Sequence, residues 1–62
     1  MFEKVFPDGY KVVVDENIVA LYDSAGNQVT NSNVDYYYEE RGYGCTSQEE
    51  VANVYYKNFV AG

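Results

Sequence analysis

The segment Phe2-Glu3-Lys4-Val5-Phe6-Pro7-Asp8-Gly9-Tyr10-Lys11-Val12-Val13-Val14 decides the fold. Two short runs rich in β-branched and aromatic residues flank Pro7-Asp8-Gly9. Proline presets φ at the first central turn position, aspartate suits the second, and glycine supplies the positive φ that closes a type I turn with a bulge. In the first run Phe2, Lys4 and Phe6 share one face, and Glu3 and Val5 the other. In the second, Tyr10, Val12 and Val14 oppose Lys11 and Val13. The segment reads as a β-hairpin with strands over 2–6 and 10–14.

The pattern continues outward from that hairpin. Asp15-Glu16-Asn17 is a second tight turn, with Asn17 able to take the left-handed conformation. Ile18 to Tyr22 is apolar on both faces, which suits a central strand. Asp23-Ser24-Ala25-Gly26-Asn27 is a third turn, Gln28 to Thr30 a brief fourth strand, and Asn31-Ser32-Asn33 a loop. The stretch Leu21 to Thr30 resembles one unit of the tyrosine-aspartate repeats of large bacterial shell proteins. It occurs once, whereas a repeat architecture needs at least three copies to bury a core, so the resemblance implies a local hairpin and no function.

Val34 to Tyr38 contains three consecutive tyrosines. Their propensity favours a strand, with Val34, Tyr36 and Tyr38 on the core side and Asp35, Tyr37 and Glu39 opposite. A short helix would instead group Val34, Tyr37, Tyr38 and Arg41. Strand is the expectation, followed by a flexible break at Arg41-Gly42-Tyr43-Gly44. The end of the chain carries the clearest helix signal. Thr46-Ser47-Gln48-Glu49 matches a capping box, in which Thr46 bonds the amide at 49 and Glu49 reaches back to the amide at 46. Glu49 and Glu50 sit where the helix dipole favours negative charge. Val51, Ala52, Tyr55, Tyr56 and Phe59 form one apolar stripe, with Glu49, Glu50, Asn53 and Lys57 on the polar side. The helix is expected from about Ser47 to Val60, ending near Gly62.

The expected architecture is therefore α+β: a small antiparallel sheet of three or four strands, built from hairpins and packed by one C-terminal α-helix. Residues 1–62 have room for one domain. A chain this short buries about 60% of its unfolded surface, and its expected stability is roughly 3–9 kcal/mol. One helix stripe covers one sheet face, so the other face is left to solvent or a partner.

Composition narrows the function. The chain has ten carboxylates, four cations, no histidine and one cysteine, for a net charge of −6. Direct nucleic-acid binding is disfavoured, because it relies on Lys and Arg at phosphates. Anionic membranes are disfavoured for the same reason, and no run approaches the ~18 apolar residues of a spanning helix. An uncleaved start without a basic n-region, and a lone cysteine, fit the cytoplasm. Without histidine the usual general base is missing. Glu39-Glu40 and Glu49-Glu50 are adjacent in sequence, so each pair's side chains diverge rather than flank a substrate. Asp15-Glu16-Asn17 and Asp23 to Asn27 lack the calcium-loop spacing, and turn chemistry accounts for both. Cys45 precedes a helix start, a setting that can activate a thiol, but a small, partly buried apolar role is favoured. The expectation is no enzyme, no metal and no cofactor.

What remains is the run Asp35, Tyr36, Tyr37, Tyr38, Glu39, Glu40, Arg41, Gly42, Tyr43, Gly44. Tyr and Arg are over-represented at binding hot spots, and glycines let such a segment adapt. About half of these tyrosines are expected in the core. Tyr36, Tyr37, Tyr38 and Tyr43 are all candidates for the partner surface, with Asp35, Glu39, Glu40 and Arg41. The leading expectation is a small acidic inhibitor or adaptor that presents tyrosines and carboxylates to a basic site on a protein partner. Small acidic DNA mimics, including phage-encoded inhibitors of host defence such as anti-CRISPR proteins or of transcription, share this size and charge as a class. A phage-encoded chain would act in the host cytoplasm. The alternative is a structural or assembly subunit, or a homo-oligomer, without catalytic role.

Overall fold

A computed structural model describes residues 1–61. It contains a four-stranded antiparallel sheet in the order β1-β2-β3-β4, with β1 at Phe2–Val5, β2 at Lys11–Val14, β3 at Ile18–Tyr22 and β4 at Gln28–Asn33. A single helical turn, α1, follows at Asp35–Tyr38. Helix α2 spans Gln48–Tyr56 and widens into a π turn at Lys57–Ala61. The expected end near Gly62 lies outside the described residues. The α+β sheet with a C-terminal helix is the architecture that the sequence pattern predicts.

The first hairpin closes as its turn residues dictate. Gly9 takes φ 92° and donates to the Phe6 carbonyl at 2.9 Å, while the Phe6 amide donates to the Tyr10 carbonyl at 2.7 Å. Gly26 plays the matching part at the third turn with φ 88°, and Asp23 Oδ1 accepts from the amides of Ala25 and Asn27. The second turn departs from expectation. No described residue other than glycine has positive φ, so Asn17 is not left-handed. Asp15 closes this turn instead, its Oδ1 accepting from the amides of Asn17 and Ile18.

Register places Phe2, Lys4, Val12, Val14, Val19, Leu21, Thr30 and Ser32 on the helix side of the sheet. Val12, Val14, Val19 and Leu21 are fully buried there, against Val51, Ala52 and Tyr55 of α2 and Val34. Tyr56 is half-buried rather than core, and stacks on Phe6 at 3.8 Å between centroids. Its hydroxyl donates to Asp8, which ties α2 to the first turn. Lys4 adds a second tie, donating to Asn53 Oδ1 at 2.7 Å. The expected stripe fails at its end: Phe59 is half-exposed, and Val60 packs against the core. The π turn causes this, because closing each hydrogen bond over one more residue breaks the α-helical spacing.

Three further boundaries differ from the sequence reading. β4 runs to Asn33, so Asn31-Ser32-Asn33 is strand rather than loop. Its polarity reflects an edge position, with inward Ser32 bonded to the Tyr55 hydroxyl at 2.9 Å. Residues 35–38 are helical, not a strand. Asn33 Oδ1 accepts from the Asp35 amide at 2.8 Å, and this local bond turns the chain out of the sheet. The helix cap sits one residue later than the expected Thr46–Glu49 box. Ser47 is the N-cap and accepts from the Glu50 amide at 3.1 Å, while the Glu50 carboxylate reaches back to the Thr46 hydroxyl and amide. The shift follows from Cys45, which is buried and donates its amide to the Tyr37 carbonyl at 2.8 Å. Ser47 itself is still extended, at φ −149° and ψ 162°.

Candidate functional site

The run from Asp35 to Gly44 is a closed loop, not the flexible break expected at 41–44. The Glu39 carbonyl accepts from both Gly42 at 3.0 Å and Gly44 at 2.9 Å. The Glu39 amide donates to the Asp35 carbonyl, and the Tyr37 amide to the Val34 carbonyl. Gly44 takes φ 62°, the left-handed region that costs glycine least. Gly42 lies directly on the Tyr36 backbone, where any side chain would collide. The loop is thus fixed by its own main chain.

This geometry reverses the expected division of the tyrosines. A strand would bury Tyr36 and Tyr38. The helical turn buries Tyr37 instead and leaves Tyr36, Tyr38 and Tyr43 exposed at 56%, 38% and 47%. Tyr37 therefore belongs to the core and not to the candidate surface. Its ring stacks on Tyr43 at 5.1 Å and meets Tyr36 and Tyr55 edge-on at 6.0 and 5.5 Å. Tyr36 and Tyr43 also meet edge-on, at 5.5 Å. Edge-to-face and offset contacts of this kind add about 0.5–1.5 kcal/mol each beyond area burial. Burial pushes the Tyr37 phenol up, with Tyr55 and Tyr43 adding to the shift.

Asp35, Glu39, Glu40 and Arg41 are all exposed. Three carboxylates and one guanidinium give the segment a net charge of −2. Neither of the two ion pairs among the described residues, Lys4–Glu49 and Lys11–Glu3, involves this segment. The outer supports of this segment lie beyond 35–44, in the π turn. Asn58 donates to the Tyr43 hydroxyl at 2.7 Å, and Phe59 packs on Tyr55 at 4.7 Å. No pattern in the sequence points to Asn58, because its reach depends on the π turn.

Cys45 is buried and its thiol is pushed up by that burial, with Glu50 adding to the effect. Both factors disfavour the thiolate. Among the described residues there is no cavity, no cluster of metal-ligating side chains and no helix long and apolar enough to cross a membrane. Compared with family models, curated proteins and solved structures, the chain gives no significant match.

Proposed function

We propose that this protein acts by binding a basic site on a protein partner through Tyr36, Tyr38 and Tyr43, with Asp35, Glu39, Glu40 and Arg41 around them. One observation carries the reading: three tyrosine rings stay half-exposed on a loop whose backbone is already closed by its own hydrogen bonds. A preordered loop loses little entropy on binding, so more of the contact energy remains. Covering the exposed half of one such ring is worth about 1 kcal/mol. The carboxylates would steer a cationic partner toward those rings.

The reading has the protein work as an inhibitor or adaptor in the cytoplasm, without a catalytic step and without direct contact to nucleic acid. Mimicry of nucleic acid toward a basic groove, as in phage-encoded inhibitors, is the form that charge and size suggest. The test is a capture experiment from host lysate with three baits: the native chain, Tyr36→Ser with Tyr43→Ser, and Glu39→Gln with Glu40→Gln. The native bait should retain a protein that both variants release, and retention should fall steeply as salt rises. Equal retention by all three baits, or retention unaffected by salt, would remove this surface from consideration.

A further inference from the structure

The two edges of the sheet are not equivalent. β1 has four residues and carries Glu3 and Lys4, with Lys4 turned toward the helix side. Charges on an edge strand, above all inward ones, are a common guard against pairing with another chain. β4 is the longest strand, has no charged residue and no proline, and buries none of its residues. Its one guard is a bulge near Val29, since Leu21 pairs Thr30 and Tyr22 pairs Gln28.

Hydrogen-bond parity shows which groups this edge offers. The Val34 amide donates to the Asn17 carbonyl of the neighbouring chain segment. Alternation along an antiparallel strand then turns the main-chain groups of Ser32 and Thr30 toward β3, and those of Asn31 and Asn33 outward. No hydrogen bond among the described residues reaches those outward groups.

We propose that β4 pairs antiparallel with β4 of a second copy, about a two-fold axis at Ser32. That register sets Asn31 opposite Asn33 of the other copy, twice. It yields four N–H···O bonds from groups that have no partner among the described residues, and it leaves the bulge outside the paired stretch. Asn31 and Asn33 side chains meet on the outer face, and Ser32 meets Ser32 beside Tyr55. Charge selects the occupant. The chain carries −6 overall, yet β4 carries none of its ten carboxylates. Two copies therefore bring no carboxylate against another along the paired strands, while a cationic strand finds no carboxylate on β4 to attract it. The pairing makes one eight-stranded sheet with both α2 helices on the same side. It does not depend on the tyrosine loop.

Sedimentation equilibrium of the full chain over a concentration series tests this. The native chain should dimerise. Asn31→Pro removes an outward amide and leaves the β3 ladder intact, so it should sediment as a monomer with native circular dichroism. Asn31→Lys, an exposed substitution that sets two lysines diagonally across the axis, should weaken the dimer about two- to fivefold. Val5→Lys, on the far side of the open sheet face, should leave it unchanged. A native chain that stays monomeric up to about 1 mM overturns the proposal. So does a dimer that survives both Asn31 variants, or one that Val5→Lys abolishes, which would mean face-to-face packing.

Discussion

The α-carbon of Gly42 rests on the carbonyl of Tyr36, so closely that a Cβ at position 42 would lie 1.8 Å from that oxygen and 2.9 Å from its carbon. Both partners are backbone atoms, so no rotamer change relieves the clash. Gly42→Ala must therefore open the loop or shift α1. A cost of about 1–3 kcal/mol is expected, as for other forced overpacking. Urea denaturation measures it, and amide shifts confined to residues 36–45 would localise it. A native midpoint for this variant would mean that the loop is not closed as described.

The position of the helix cap gives a second test. Ser47, not Thr46, accepts from the helix, and Glu50, not Glu49, reaches back. Ser47→Ala should cost about 1 kcal/mol. Glu49→Gln should cost under about 1 kcal/mol, because its contact is an exposed ion pair with Lys4 at 3.6 Å. Thermal melts of the two variants decide between frames, and the opposite ranking would restore the earlier box.

Acid should weaken the protein through two turn aspartates. The Tyr56 hydroxyl and the Tyr10 amide hold Asp8 below its ordinary value, and the Ile18 and Asn17 amides do the same for Asp15. Both folded values lie below the unfolded value of 3.8. The stabilisation is therefore complete above about pH 4 and is lost as pH falls through the folded values. Urea midpoints taken from neutral pH downward should drop in that range. Asp15→Asn should start lower and show a shallower acid slope, whereas an unchanged slope would exclude Asp15 as a contributor.

Cys45 should behave as a core residue. Its thiol is buried and its ionisation is disfavoured. Disulfide exchange reagents at neutral pH should modify it at the rate of unfolding, and urea should accelerate the reaction. Fast, stoichiometric labelling of the native protein would contradict the burial.

The sheet was legible in the sequence because each of its turns carries its own chemistry. Pro7-Asp8-Gly9 and Asp23 to Asn27 specify conformations that few other residues adopt, and the runs between them are rich in β-branched and apolar residues. The candidate segment was legible as a place but not as an arrangement. Three adjacent tyrosines have the same propensity at every position, so pattern alone could not say which face turns inward. A single bond from the Asp35 amide to the Asn33 side chain settles it, reversing the buried and exposed rings. The end of β4 is hidden for a related reason: polar residues in an edge strand look like a loop until Tyr55 appears as the partner of Ser32.

The π turn at Lys57–Ala61 is, in effect, an α-helix that holds one residue more than its own pitch allows. Deleting a single residue there would let the last turn relax to ordinary α geometry and rotate everything after it. Asn58 would swing away from Tyr43, and Phe59 away from Tyr55. The brace on the exposed tyrosines would be lost with no change at the tyrosines themselves. Losing one residue within this stretch would thus loosen the tyrosine surface from a distance.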